Sequence, residues 1–291
     1  QFHAAIQIWQ EAFEVYAEIG DRKGAGVTLN NLGNAYLSLS QYPQAISLYE
    51  QALNIARELG DRELEGSALG NLGVSYDLIG NYPQAIDFYK KQLEVVRSIG
   101  DRQGASNALG NLGIAYFNIG DYPEAIVLFE QSLEISRELD DRVGESSWLL
   151  QIGNARNAQG DYEQAIELYT QSLTISQEIG DRGREGTVLG NLGTTYSLTG
   201  AYAQAIEFFE QHLAITREIG DRAGEGGAIN RLGAVSLSTG DYAQAIESFE
   251  QHLAIAREIG DLAGEGSALG NLGNDYFSLG EYAQAIEFNE Q

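Results

Sequence analysis

The stretches DRELEGSALGNLGVSYDLIGNYPQAIDFYKKQLEVVRSIG (61–100) and DRQGASNALGNLGIAYFNIGDYPEAIVLFEQSLEISRELD (101–140) superimpose without a gap. Reading outward from them, Gly60-Asp61-Arg62, Gly100-Asp101-Arg102, Gly180-Asp181-Arg182 and Gly220-Asp221-Arg222 hold the same register, so the chain is written in a period of 40 residues. A fixed period of this kind overrides length as a guide to organisation. The 291 residues therefore read as an array of repeats.

Within one unit, Leu29, Leu32, Gly33, Tyr36 and Leu39 recur at steps of three and four, which is one face of a helix, here helix A. Ala45, Ile46, Tyr49, Leu53, Ala56 and Leu59 do the same in a second segment, helix B. Turn signals such as Gly80-Asn81 and Gly120-Asp121 separate the two. Helix B opens with a capping pattern, Asp121 three residues before Glu124, with Asp161 and Asp241 likewise before Gln164 and Gln244. Arg57, Arg97, Arg137, Arg217 and Arg257 lie near its negative pole, and Gly60 and its equivalents stop it. No strand pattern competes.

One such pair has too little apolar surface to fold alone, so neighbours must stack on a shared core. The expected fold is an all-α, right-handed α-solenoid of antiparallel helix pairs in a single array. Residues 1–20 form helix B of a truncated repeat, full repeats occupy 21–60, 61–100, 101–140, 141–180, 181–220 and 221–260, and 261–291 is truncated again. Open ends of such a stack expose apolar surface, which predicts further repeats, caps, or self-association through the ends. The chain starts at Gln1 and contains no methionine, so its natural start is expected upstream.

Leu72-Gly73, Tyr76, Gly80, Tyr82, Ala85 and Tyr89 follow a spacing that resembles the tetratricopeptide repeat (TPR) family, in its 40-residue variety. That variety occurs in polarity adaptors, kinesin light chains and bacterial signalling arrays. The resemblance covers all 291 residues and implies a small helix-A residue nested against a helix-B alanine, with helix A lining a concave surface. Two departures stand out. The family's second helix-B alanine is here Ala52, Gln92, Ser132, Ser172, His212 or His252, and its closing proline is replaced by Glu-x-Gly-Asp turns.

The net charge of −25, from 42 acids against 17 bases, repels nucleic acid and anionic membranes, so neither is an expected partner. It reads equally as a solubility coat. The absence of cysteine excludes disulfides and thiolate metal sites, and no apolar run is long enough to span a bilayer. A cytoplasmic location is the expectation.

Helix A carries a second glycine at Gly70, Gly110, Gly190 and Gly270, each costing about 1 kcal/mol against alanine. It is expected either to keep a groove floor open for a ligand backbone or to allow close packing between repeats. Next to it runs an amide ladder: Asn31, Asn71, Asn111, Asn191 and Asn271, interrupted by Gln151 and Arg231. A carboxamide both donates and accepts, so such a column can hold an extended peptide whatever its side chains. The TPR resemblance implies that asparagines here hold a ligand main chain. The alternative is that they bridge successive helices or stay solvated.

Specificity is expected where repeats differ. Candidates are Asn34, Val74, Asp77, Ile114, Phe117, Trp148, Asn154, Arg156, Thr194, Asn230, Arg231, Asn274 and Phe277. Trp148 reads equally as a core filler. The middle stretches of the A helices carry only Asp77, Arg156, Arg231 and Asp275, two acids and two bases, so a neutral recognition surface is expected.

Signals of chemistry are weak. His212 and His252 lie one repeat apart, but a zinc site needs three or four converging ligands. The recurrent Gly-x-x-Gly lies within a helix with no strand before it, the wrong context for a phosphate loop. No catalytic residue and no cofactor is expected. The leading expectation is a protein-interaction module binding an extended peptide. The alternatives are the sensor arm of a multidomain signalling protein, attached to a nucleotide-switch ATPase or a caspase-like protease, and a self-assembling scaffold.

Overall fold

A computed structural model describes residues 2–290, with side chains placed for 6–288. Gln1 and Gln291, the outer limits of the expected truncated repeats, lie outside the described residues. Fifteen helices and no strand occur among the described residues. They are α1 (Phe2–Glu18), α2 (Arg22–Ser38), α3 (Tyr42–Leu59), α4 (Arg62–Leu78), α5 (Tyr82–Ser98), α6 (Arg102–Asn118), α7 (Tyr122–Glu138) and α8 (Arg142–Ala158). Then follow α9 (Tyr162–Ile179), α10 (Arg182–Leu198), α11 (Tyr202–Ile219), α12 (Arg222–Thr239), α13 (Tyr242–Ile259), α14 (Leu262–Ser278) and α15 (Tyr282–Glu290). Even-numbered helices are the A helices and odd-numbered ones the B helices.

The chain divides into two compact units after Ala155. In the first, α2, α4 and α6 each pack on their own B helix and on the preceding one, and α2 touches α4 as α4 touches α6. No comparable contact joins successive B helices there. In the second unit α10, α12 and α14 repeat this arrangement with α9, α11, α13 and α15. Within each unit the A helices thus form the tighter row and the B helices are spread, the stacked-hairpin architecture of an α-solenoid.

The helix ends follow from their sequence. Asp21, Asp61, Asp101, Asp181, Asp221 and Asp261 cap the A helices, accepting from the backbone N–H three residues on at 2.8–3.1 Å. The expected helix-B caps Asp121, Asp161 and Asp241 form too, at 3.1–3.5 Å. Glycines such as Gly60 (φ 67°) and Gly80 (φ 77°) close the helices in the left-handed region, while Ser40 (φ 57°) and Asp140 (φ 55°) hold the same conformation with a side chain.

The core joint is an aromatic ring of helix B laid on a helix-A glycine. Tyr49 covers Gly33, Tyr89 covers Gly73, and Phe129, Phe209 and Phe249 cover Gly113, Gly193 and Gly233; a Cβ at any of these would fall under 3.0 Å from a ring atom. The rings are almost fully buried. Burying one stabilises by about 2–3 kcal/mol, more than the roughly 1 kcal/mol that glycine costs the helix. The alanines implied as the nesting partner, Ala45 to Ala245, are buried beside these rings.

At Gly70, Gly110 and Gly190 the second glycine is not a groove floor. Gly70 is buried under Gln92, whose Nε2 would lie 2.5 Å from an added Cβ, and Gly190 faces His212 at 3.1 Å. Gly110 is covered by Trp148. Gln92 and His212 stand where the family has its second helix-B alanine, so the glycine opposite supplies the room that this alanine would have left. The residue that would face Gly270 in this way is number 292, past the end of the 291 residues.

Ion pairs fasten one hairpin to the next. The arginines expected to meet the helix dipole also reach across: Arg57 at the end of α3 and Arg62 at the start of α4 both donate to Glu65, at 3.0 and 2.7 Å. Burial pushes the Glu65 carboxyl up, but the two guanidinium groups outweigh it and hold it below the usual range. Arg137–Glu145–Arg142 and Arg217–Glu225–Arg222 repeat the arrangement.

Candidate ligand-binding site

A helix advances 100° per residue, so residues 67, 71, 74 and 78 of α4 fall within about 60° of one another. They are Ser67, Asn71, Val74 and Leu78, all at least partly exposed, whereas Ala68, Leu69, Leu72 and Ser75 are buried. The equivalent residues of α6 are Asn107, Asn111, Ile114 and Asn118. Because α4 and α6 touch, these two strips lie side by side in the first unit.

The ladder asparagines are not equivalent. Asn71 Nδ2 donates to Asn30 Oδ1 (3.0 Å) and Asn34 Oδ1 (3.2 Å) of α2, and Asn34 Oδ1 also accepts from the Tyr49 hydroxyl at 2.7 Å. Asn71 therefore ties two A helices together, and its own carbonyl oxygen is what remains to meet a ligand. Asn111 is half-buried with no hydrogen-bond partner among the described residues, so its donors and acceptor are both available. Asn31 is half-exposed in the same way. Gln151 Oε1 accepts from Asn154 Nδ2 at 3.1 Å within α8.

Around Asn111 the surface is mixed. Val74 and Ile114 are half-buried aliphatic side chains beside it. Phe117 leans on Tyr122, ring centroids 5.2 Å apart. Asp77 is half-buried and accepts from Asn118 Nδ2 at 3.4 Å. Burial raises the Asp77 carboxyl above its ordinary range, against the weaker pull of Asn118.

Trp148 departs from the specificity reading. Its position is a core position in the other A helices, as the buried Thr28, Ala68, Ala108 and Val188 show. The indole stacks on Phe129 (centroids 6.2 Å apart, planes 16°), covers Gly110 and donates to Ser136 Oγ at 3.2 Å. It fills space between repeats.

In the second unit Arg156 also departs from that reading. It takes the place where Tyr196 stacks on Phe208 and Tyr276 on Phe288, a side facing helix B, and its Nε is buried without a partner. Asn191 and Thr194 are half-buried, with Thr194 Oγ1 donating to Gly190 O. Asn271 Nδ2 donates to Asn230 Oδ1 at 3.0 Å, the same bridge that Asn71 makes. Arg231 and Asn274 are exposed, and Phe277 is 64% exposed with its ring edge-on to Tyr282. His212 and His252 are buried core residues in separate repeats, and no cluster of metal-ligating side chains occurs among the described residues.

The periodic reading missed the bridging Asn30, the Tyr49 hydroxyl and the exposed Leu78 and Leu198. At Asn30 the signal was present, since that position also holds Gly70 and Leu150 while the one before it is leucine or isoleucine; next to Leu78 and Leu198 the preceding position varies just as freely. No helix among the described residues is long and apolar enough to cross a membrane.

Three solved structures illustrate the likeness. A signal transduction ATPase with numerous domains from Pyrococcus horikoshii, carrying a tetratricopeptide repeat sensor, is 19% identical with a TM-score of 0.78. The match covers 96% of this chain and 43% of that one. A Rap protein complexed with competence and sporulation factor is 16% identical at a TM-score of 0.60, over 99% and 95% of the two chains. Nearly identical repeats from a kinesin light chain-like protein of Podosopora anserina are 20% identical at 0.58, over 67% and 95%. At such identities the likeness is one of fold. No curated protein sequence matches this chain significantly. The tetratricopeptide repeat family model matches residues 1–58, 27–94, 64–138, 145–218 and 226–291, and with the glycine–aromatic hairpin joint at Gly33, Gly73, Gly113, Gly193 and Gly233, the chain belongs to the tetratricopeptide repeat family.

Proposed function

We propose that this chain is a non-catalytic module that binds an extended peptide segment of a protein partner across the A-helix row. The observation that carries the reading is Asn111: a half-buried carboxamide with no protein partner, set between Val74 and Ile114 on adjacent touching helices. Its amide is open to solvent and makes no bond within the protein, so a ligand main chain offering both N–H and C=O can pair with its acceptor and its donors together. Aliphatic neighbours supply non-directional affinity, so the peptide is expected to carry apolar side chains either side of the held amide. Asn71 serves as an acceptor and as the brace between α2 and α4.

Selection of randomised displayed peptides on the intact chain tests this. Asn111→Ala is expected to weaken the selected peptide at least tenfold, the loss of about 1.4 kcal/mol that one buried hydrogen-bond pair provides. Unchanged affinity, with the fold intact by circular dichroism, refutes the role of Asn111.

A second reading concerns context. The Pyrococcus structure joins such repeats to a signalling ATPase as a sensor, and this chain spans 43% of it. On that likeness we infer that peptide capture here serves as the input of a larger signalling protein. The flanking coding sequence tests it: an adjacent nucleotide-binding or protease domain is expected, and its absence from the full-length protein refutes the reading.

A further inference from the structure

Asp77 stands in the last turn of α4, at the negative pole of the helix dipole, where a carboxylate is least favoured. It is half-buried, and among the described residues no lysine or arginine pairs with it. Its contact with Asn118 Nδ2 at 3.4 Å is long for a hydrogen bond to a charged group. Its field reaches inward as well: after burial, Asp77 is the second cause holding the Tyr89 hydroxyl protonated to high pH. Carboxylates of the scaffold are treated differently. Glu65, Glu145 and Glu225 each hold two cationic or guanidinium partners.

The surroundings lack only a cation. Val74 precedes Asp77 by one turn on α4, and Ile114 and Asn111 lie on the helix that Asn118 belongs to. A positive charge docking here gains from the carboxylate and from the carbonyl end of α4 together, in a partly desolvated place where screening is weak. The outer surface, with net charge −25, draws basic segments toward the chain at long range.

We propose that Asp77 is a cation-recognition subsite for the bound peptide, receiving a lysine or arginine side chain of the segment whose main chain Asn111 holds. The inference rests on the peptide-binding reading above and names the chemistry of the ligand: a basic residue next to aliphatic ones.

The experiment uses randomised peptides displayed on phage and selected on the intact chain, on Asp77→Asn and on Asn111→Ala. The expected result is enrichment of lysine or arginine at one fixed position with the unaltered chain. The best synthetic peptide then binds Asp77→Asn roughly tenfold more weakly, as for loss of one charge-assisted hydrogen bond. Replacing its basic residue by norleucine gives a similar loss with the unaltered chain and no further loss with Asp77→Asn. Additive losses, or selected peptides with no fixed basic residue, overturn the subsite while Asn111→Ala still weakens binding at least tenfold and the peptide reading stands. Failure to select any peptide, or full affinity with Asn111→Ala, overturns both.

Discussion

Four equivalent helix-A glycines give one substitution four different environments. Glycine to alanine in a helix interior gains about 1 kcal/mol when nothing obstructs the new methyl. The counterpart of Gln92 and His212 opposite Gly270 would be residue 292, so in this 291-residue chain nothing lies within 4 Å and Gly270→Ala is expected to stabilise the chain as it stands by that amount. At Gly110 a Cβ would lie under 3.0 Å from three carbons of the Trp148 ring. The ring cannot easily retreat, being stacked on Phe129 and tethered to Ser136. Overpacking of this kind costs about 1–3 kcal/mol, and with the upper half of that range set against the helix gain, Gly110→Ala should destabilise by about 1–2 kcal/mol. Gly70→Ala and Gly190→Ala should fall between, because the Gln92 amide can swing aside and the His212 ring needs only a small shift. Urea unfolding with hydrogen exchange on peptides of α6 and α14 reads the effects locally, which matters because repeat arrays need not unfold in one step. The decisive arm is Gly110→Ala in a Trp148→Ala background, where the sign should reverse to a gain near 1 kcal/mol. Destabilisation that persists without the indole, or equal effects at Gly110 and Gly270, would refute the packing argument.

Asp140→Gly and Ser40→Gly should each stabilise by about 1 kcal/mol, since a side chain in the left-handed region is strained and glycine holds that place in the other turns; thermal unfolding checks this. His212 and His252 are depressed, first by burial, with Arg231 lowering the former further while Asp221, and for His252 Asp261, pull the other way. A depressed folded pKa means that the unfolded chain takes up protons first, so their contribution is complete above the ordinary histidine pKa of about 6.5 and is lost as pH falls below it. His212→Ser with His252→Ser, following Ser172, should flatten stability against pH between 6.5 and the folded values, and an unaltered slope would count against it. Asp275 is fully buried with both carboxylate oxygens unpartnered, and burial raises its pKa. Asp275→Ser, the residue at the matching place in α4, should stabilise by about 1–3 kcal/mol at neutral pH and by less below the ordinary carboxylate range, where the acid is protonated in both states and no charge is buried; urea unfolding at the two pH values checks this.

Much of this was legible because each unit repeats the same physical instructions. The 40-residue register, the glycine turns and the three-and-four spacing of Leu29, Leu32 and Tyr36 led to stacked hairpins, as found. The Gly-Asp-Arg motif carries both the register and the helix-A cap, its glycine closing one helix and its aspartate opening the next. The site was less legible. An asparagine that braces two helices and one that faces solvent look alike in sequence, and what distinguishes Asn71 from Asn111 is the residue 41 positions earlier: Asn30 for the former, Gly70 for the latter. Trp148 and Arg156 show the same limit, since an unusual residue in a repeat looks the same in sequence whether it stands in the core or on the surface.

The size exchange at the second glycine also bears on how the array can grow. Where Gly190 faces His212, protrusion and recess belong to the same hairpin, so copying the unit copies both halves of the fit. Residues 201–220 and 241–260 differ at three positions and both carry the histidine, yet Asn230 stands in the second hairpin where Gly190 stands in the first, so the protrusion recurs there without the recess. Trp148 and Gly110 instead belong to neighbouring hairpins. Excising or transplanting either one alone would leave a plug without its socket, so a working chimera should be spliced on either side of residues 101–180 and not at the turn between them.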